Sequence, residues 1–304
     1  MKIFSLGKSL DYLFRVFMEN PLLKKYNIEL TDEIVEADII IEPFLSCILK
    51  NIHLNKKFLL WTCEPFFDTN KKNVITVKNK NIHIINCYTG DIYMNNFFFF
   101  YTIEHNPFGK NFINKFVPKK ILHRKIVAIM TYDTKTSRKL RTAIALEGHK
   151  KGIIDIYGTA WPKGISKGDS RATHRSGKEV ITYCHTKPLI LKNYDFCLAF
   201  ENSIIPYYVT EKLWHAIANF TLPIYLGNKW IYETFPENSF IDYAKFKSND
   251  ELFDFIKNIT IDEYNERLLK CINVVKNNIK YISHNISRAK SYEAFVNKLN
   301  QFKY

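Results

Sequence analysis

Residues 196–242 read FCLAFENSIIPYYVTEKLWHAIANFTLPIYLGNKWIYETFPENSFID, and the order of elements inside this stretch decides the fold. Together with Asp195 just before it, it opens on Asp195-Phe196-Cys197-Leu198-Ala199-Phe200, an apolar run after one aspartate, which is predicted to be a buried strand. Glu201-Asn202-Ser203 follow at its carboxyl end, and a short loop then holds Pro206, Tyr207 and Tyr208. A helix is predicted to begin near Val209-Thr210-Glu211-Lys212 and to run through Leu213, Trp214, Ala216, Ile217 and Ala218. A second buried strand spans residues 221–227. Strand, helix and strand in this order form a βαβ unit of a parallel sheet, and such sheets take ligands at the carboxyl ends of their strands.

Polar residues in this stretch stand where a ligand would bind. Thr210 is placed to cap the helix, and the uncapped amides with the positive end of the helix dipole make a diphosphate site. Lys212 adds a full positive charge. A carboxylate, Glu201 or Glu211, suits the hydroxyls of a ribose, because an ionised carboxyl group only accepts hydrogen bonds.

Outward from this stretch the βαβ rhythm continues. Strands are predicted at residues 2–6, 38–42, 57–62, 83–86, 97–102, 125–130 and 152–158, with helices at 9–18 and 137–146. Past Asp250 the apolar residues Leu268, Leu269, Ile272, Val275, Ile279 and Ile282 recur at helical spacing. Residues 105–124 contain Pro107, Gly109 and Pro118 among lysines and asparagines, the composition of a linker. Two domains follow, residues 1–120 and 121–304. Residues 158–178 hold four glycines and five lysines or arginines and suit a basic loop.

Composition excludes several classes. With 46% hydrophobic, 15% aromatic and 24% charged residues, the 304-residue chain has the balance of a globular protein. Its longest apolar runs fall far short of the roughly 20 residues that span a bilayer as a helix. The first residues, Met1 to Gly7, read as a strand and not as a secretion signal, so the mature chain is expected to start there. Six cysteines lie scattered without CxxC or metal-ligand spacing, which suits reduced thiols and a cytoplasmic location. The formal charge of +14 attracts polyanions such as nucleic acid, anionic membrane or phosphorylated substrates. It is spread along both halves, however, with no nucleic-acid module, so a nucleic-acid partner is not expected.

The 196–242 stretch resembles the α1,3/4-fucosyltransferases of glycosyltransferase family 10. The shared series is Phe-Glu-Asn-Ser, Tyr-x-Thr-Glu-Lys-Leu-Trp, Pro-x-x-Leu-Gly and Phe-Pro-x-x-Ser-Phe-Ile, in the same order. The likeness extends more weakly upstream through residues 137–158. It implies a GT-B architecture, two Rossmann-like α/β domains facing a central cleft with C-terminal helices, in which the first contacts the acceptor and the second holds GDP-fucose. It further implies an inverting, metal-independent transfer with no cofactor beyond the donor, and the sequence indeed contains no Asp-x-Asp. Basic side chains and a helix N-terminus would then neutralise the leaving GDP.

The same resemblance distributes roles over residues. Glu64, in Leu59-Leu60-Trp61-Thr62-Cys63-Glu64-Pro65, is similar to the Tyr-Thr-Gly-Glu segment that carries the base in bacterial relatives, with Cys63 in place of the glycine. Its ordinary alternative is a solvated loop carboxylate. Arg175 is the nearest arginine to the family's phosphate-binding arginine, with Arg171, Lys178 and Lys187 as rivals. Donor contacts are expected from Arg175, Glu201, Asn202, Tyr208, Thr210, Glu211 and Lys212. Tyr207 and Tyr208 suit guanine stacking or the fucose pocket, or else packing; Trp214 and His215 suit core or interface positions. The expected acceptor is a glycan hydroxyl, GlcNAc O3 first, with an O-antigen or lipid-linked glycan and peripheral contact at the inner membrane face in view. Alternatives are a GT-B transferase with another GDP-sugar or acceptor and, more remotely, a basic nucleic-acid-binding protein.

Overall fold

A computed structural model describes residues 1–5, 26–42, 44–62, 67, 72–86, 112–134, 139–168, 183–206, 208–283, 297, 299 and 300. The helix expected at 9–18 and the strand expected at 97–102 lie outside the described residues. The chain divides into two compact units, Met1–Glu104 with Lys280–Tyr304, and His105–Ile279.

Among its described residues the first unit has six strands: β1 (Lys2–Ser5), β2 (Glu29–Leu30), β3 (Ile39–Glu42), β4 (Lys57–Thr62), β5 (Val74–Val77) and β6 (Lys80–Asn86), in the order β2-β1-β3-β4-β6-β5. All pairs are parallel except β5 with β6. That hairpin turns on Lys78 and Asn79, both at positive φ (47° and 60°), the backbone of the two-residue turn that matches strand twist. A short helix, α1 (Leu45–Asn51), buries Ile48 against Ile40, Phe58, Leu60, Ile82 and Ile84. β3 and β4 are buried almost throughout, which is why they read as unbroken apolar runs. At their carboxyl ends, and at that of β6, stand three buried polar side chains: Glu42, Thr62 and Asn86. The Asn86 amide donates to the Phe67 carbonyl at 2.7 Å.

The second unit carries β7 (Ile126–Ile129), α2 (Lys139–Lys150), β8 (Ile154–Tyr157), α3 (Tyr183–Leu191), β9 (Phe196–Phe200), α4 (Glu211–Ala218), β10 (Leu222–Leu226), β11 (Ile241–Asp242), α5 (Asn249–Asn258) and α6 (Ile261–Ser283). The five strands among its described residues pair in parallel in the order β11-β10-β9-β7-β8. The chain runs outward from β7 to β8, then returns to the other side of β7 and continues through β9, β10 and β11. Between β7 and β9 the winding reverses, and at such a point the loops leave the sheet in opposite directions and open a crevice.

The amino end of this sheet is closed by polar contacts. Asp195, buried before β9, forms an ion pair with Lys119 and accepts the Arg124 amide at 2.8 Å, and Tyr264 of α6 donates to the Asp195 carbonyl at 2.8 Å. Phe220, after α4, stacks on Phe112 with ring centroids 5.0 Å apart. With the amino edge sealed in this way, the carboxyl edge is the side where side chains remain available. Among the described residues no helix is long and apolar enough to cross a membrane. Cys47, Cys197 and Cys271 are free thiols, the last two buried.

Candidate functional site

The loops after β7 and β9 meet at the reversal point. The loop after β7 is pinned by the Thr142 hydroxyl, which donates to the Asp133 carbonyl at 2.7 Å. The Trp161 indole N–H reaches the Met130 carbonyl at 2.8 Å, and the rings of Tyr132 and Trp161 lie 5.1 Å apart. From α2, which follows this loop, the guanidinium of Arg141 reaches across to the side-chain carbonyl of Asn202, directly after β9. This cross-link joins residues 61 apart in sequence.

Glu201, Thr210 and Lys212 make a second cluster on the other end of the same loop. The Glu201 side chain is fully buried, and its backbone amide continues the sheet pairing to the Leu226 carbonyl at 2.9 Å. Its Oε1 accepts the Thr210 amide at 2.7 Å, and its Oε2 accepts the Thr210 hydroxyl at 2.6 Å. Lys212 Nζ donates to Thr210 Oγ1 at 2.8 Å and lies 3.6 Å from Glu201 and 3.5 Å from Glu211. Thr210 does hold the N-cap position of α4, with φ −113° and ψ −173°, yet its side chain caps no helix amide. The hydroxyl is turned to Glu201, to which it gives its proton, and its oxygen accepts from the charged Lys212 Nζ in place of a helix amide. The helix therefore begins without a side-chain cap from Thr210; the Glu211 amide is met by its own carboxylate, and the positive end of the helix dipole faces the loop.

The electrostatics follow from this crowding. Burial pushes the Glu201 carboxyl above its ordinary range, with Lys212 and Thr210 pulling the other way. Glu211, a quarter exposed, goes in the opposite direction: burial acts to raise it, but Lys212, Lys187 and His215 together bring it down to about 2. His215 is held near 3, first by burial and then by Lys187, so it is neutral at physiological pH. Lys187, itself buried on α3, thus shares one electrostatic environment with Glu211 and His215 on α4.

The structure thus gathers five of the expected residues, Glu201, Asn202, Thr210, Glu211 and Lys212, at the start of α4 and the end of β9. Both Glu201 oxygens are taken by Thr210, so Glu201 acts on the loop, and Glu211 is the carboxylate with exposed surface. Tyr208 is buried, 4% exposed, so its ring packs inside the unit. Trp214 is core, against Phe235 with centroids 5.4 Å apart. Of the four basic candidates, Lys187 is the one among the described residues; Arg171, Arg175 and Lys178 lie outside them, as do Glu64 and Tyr207. Arg141 is the site residue that the sequence did not reveal. Nothing in its local context distinguishes it from its neighbours Arg138 and Lys139, and only strand order brings it to Asn202. Among the described residues no group of three or more His, Cys, Asp or Glu is placed to hold a metal ion.

Comparison with known proteins identifies the family. The model of glycosyltransferase family 10 (fucosyltransferase), C-terminal part, matches residues 119–271, half of the chain. An alpha-(1,3)-fucosyltransferase of Caenorhabditis elegans, fut-1, is 38% identical over 104 residues, 34% of this chain and 21% of its own length. The human 3-galactosyl-N-acetylglucosaminide 4-alpha-L-fucosyltransferase FUT3 is 33% identical over 129 residues, 41% of this chain and 30% of its own. The match thus spans between a fifth and a third of these relatives. A solved structure of an alpha1,3-fucosyltransferase with GDP-fucose superposes with a TM-score of 0.50 at 18% identity, over 88% of this chain and 81% of that one. That likeness concerns the fold, which is GT-B, with two Rossmann-like α/β units.

Proposed function

This chain belongs to glycosyltransferase family 10, the fucosyltransferases, and from that premise we propose that it transfers L-fucose from GDP-fucose to a glycan hydroxyl, GlcNAc O3 first among them, with inversion at C1 and without a metal ion. The observation that carries the reading is the uncapped start of α4, with Lys212 held beside it by Thr210 and Glu201 at the carboxyl edge of β9. A helix N-terminus and a fixed ammonium group suit a diphosphate leaving group, since both oppose the charge that develops as the glycosidic bond breaks. Glu211, kept ionised by its neighbours, suits the ribose hydroxyls.

In the reaction the acceptor oxygen attacks fucose C1 on the face opposite GDP. The bond from C1 to the β-phosphate oxygen breaks, its electron pair leaves with GDP, and the acceptor proton passes to a carboxylate base. Glu64, two residues beyond β4 in the chain, is our candidate for that base. Helix start and lysine take over the charge neutralisation that a cation provides in Asp-x-Asp enzymes. The basic net charge favours glycan acceptors carried on anionic surfaces, lipid-linked ones included, which fits a cytoplasmic chain at the inner membrane face.

The test is a donor and acceptor screen. GDP-fucose and GDP-mannose are each offered with a panel of N-acetyllactosamine-type glycans, with and without EDTA, and the product linkage is read by NMR. Transfer from GDP-fucose, unchanged by EDTA, is expected. Preference for GDP-mannose, or activity only with added divalent cation, overturns the respective part of the proposal.

A further inference from the structure

Arg141 sits three residues into α2, buried at 7% exposure, and one of its guanidinium nitrogens, Nη1, donates to the side-chain carbonyl of Asn202. A guanidinium has donors only, so it can engage only the oxygen of a primary amide. This fixes which way the Asn202 amide points: Oδ1 toward Arg141, Nδ2 away from it. Among the described residues the Nδ2 amino group donates to no other atom, and Asn202 is partly exposed. The neighbouring Glu201 holds the far end of the same loop through Thr210. The loop from β9 to α4 is thereby tied at both ends, once to its own helix start and once across the crevice to α2.

We propose that Arg141 is a positioning residue for donor recognition: by holding the carbonyl of Asn202 it presents the Asn202 amino group, beside the start of α4 and Lys212, to the anionic oxygens of a nucleoside-diphosphate sugar. This rests on the donor reading above and deepens it. The bond crosses the point where the sheet winding reverses, since its donor lies on the helix that follows β7 and its acceptor on the loop that follows β9. Arginine suits the task better than lysine. Its planar fork is held rigid by burial, whereas an ammonium group on four methylenes leaves the amide free to turn. An amino group is the half of the amide that matches phosphate, because phosphate oxygens accept and do not donate.

Asn202→Asp separates this role from a structural one. The carboxylate still pairs with Arg141, so the melting temperature should equal or exceed that of the unaltered protein. The amino group, however, becomes an oxygen, and GDP affinity measured by calorimetry should fall about tenfold or more through repulsion between anions. Arg141→Met should raise the donor KM about fivefold to tenfold with kcat changed less than about threefold, Arg141→Lys should restore part of that loss, and adding Arg141→Met to Asn202→Ala should cost little further. Asn202→Asp binding GDP as tightly as the unaltered protein overturns the inference alone, and so do fully additive losses in the double variant. An unaltered protein that takes no GDP overturns the donor reading and the inference together. Should Arg141→Met fail to fold, the two Asn202 variants, at a partly exposed position, still decide the matter.

Discussion

Both oxygens of the Glu201 carboxylate are held by one residue, Thr210, through its amide at 2.7 Å and its hydroxyl at 2.6 Å. The two residues are nine apart in sequence, and this pair of bonds closes the loop between β9 and α4. Because the carboxylate is buried, the closure does more than decorate a surface. It sets where the helix begins and, through the Thr210 hydroxyl, where Lys212 Nζ stands.

Removing the carboxylate should therefore be expensive. Glu201→Ala strands a buried amide and hydroxyl on Thr210 and takes away an anion beside Lys212, at a cost of about 2–4 kcal/mol in urea unfolding. Glu201→Gln keeps an acceptor for the amide and should lose less. The pH dependence gives a second reading. Burial raises the Glu201 pKa above the ordinary 4.5, so the folded form binds the proton more tightly than the unfolded one. The stability this gives is whole below 4.5 and is lost as pH rises through the folded value. Glu201→Gln cannot lose it, so the variant should gain on the unaltered protein as pH climbs past 4.5. A constant difference across that range would show that the group is not shifted.

Acid unfolding should show two overlapping contributions from α4. Glu211, lowered from 4.5 to about 2, contributes stability that is present above 4.5 and lost as pH falls toward 2. Its full value is at most about 3 kcal/mol. His215, lowered from 6.5 to about 3, is protonated in the unfolded chain first, so stability falls as pH drops from 6.5 to 3. Glu211→Gln should flatten the lower limb and His215→Gln the upper one. Denaturant midpoints from pH 8 to pH 2 distinguish the two, and an unchanged acid limb in either variant refutes its share.

Lys212→Ala should weaken GDP binding by about tenfold to a hundredfold, since a charge-assisted contact to phosphate disappears. Lys212→Arg should recover part of it. Because Lys212 also neutralises Glu201 and Glu211, a loss of folding stability is expected alongside, and calorimetry on folded protein keeps the two effects apart. Donor affinity equal to that of the unaltered protein would mean that the helix start does not hold the diphosphate.

Tyr225 and Gly227 make a pair with opposite expectations. The Tyr225 hydroxyl is buried without a hydrogen-bond partner among the described residues, so Tyr225→Phe should be neutral or stabilising by up to about 1 kcal/mol. A Cβ on Gly227 would stand 2.2 Å from that hydroxyl and 2.5 Å from the ring carbon bearing it. Gly227→Ala should cost about 1–3 kcal/mol, and Tyr225→Phe should relieve only part of it because the ring carbon remains. Thermal melts of the two single variants and the double variant test both statements.

Glu64→Gln should abolish transfer while GDP affinity stays within about twofold, the pattern of a lost base and an intact donor site. An active Gln variant would move the base elsewhere, and the buried Glu42 at the end of β3 is the next carboxylate to alter.

How much of this could be read from the chain alone differs element by element. Residues 57–62 match β4 residue for residue, and the strand expected at 195–200 forms as β9 one residue shorter, because a parallel strand covered on both faces is apolar through its middle. The hairpin of β5 and β6 went unread in its first strand: Val74–Val77 is short and half-buried, and its turn has lysine at a positive φ, where asparagine or glycine is the usual signal. Helix α3 was hidden by Pro188, which in a linear reading ends a helix but here lies inside one. The three polar residues at the ends of β3, β4 and β6 carry no mark in sequence, since each follows an apolar run as any strand end does.

By itself the sequence determined what depends on near neighbours: the apolar strands, a helix start within residues 209–212, and the order Glu201, Asn202, Thr210, Glu211, Lys212 along one loop and one helix. Tertiary structure decided what that order is for. Placing β9 beside β7, and not beside β8, brings Arg141 to Asn202 across 61 residues. Folding the loop back buries Glu201 under Thr210 and turns an expected cap into a tether. Strand order is chosen by burial and chain crossover over the whole unit, and the Thr210 hydroxyl is oriented by the buried carboxylate it donates to and the ammonium it accepts from, so neither choice is written in any local run of residues.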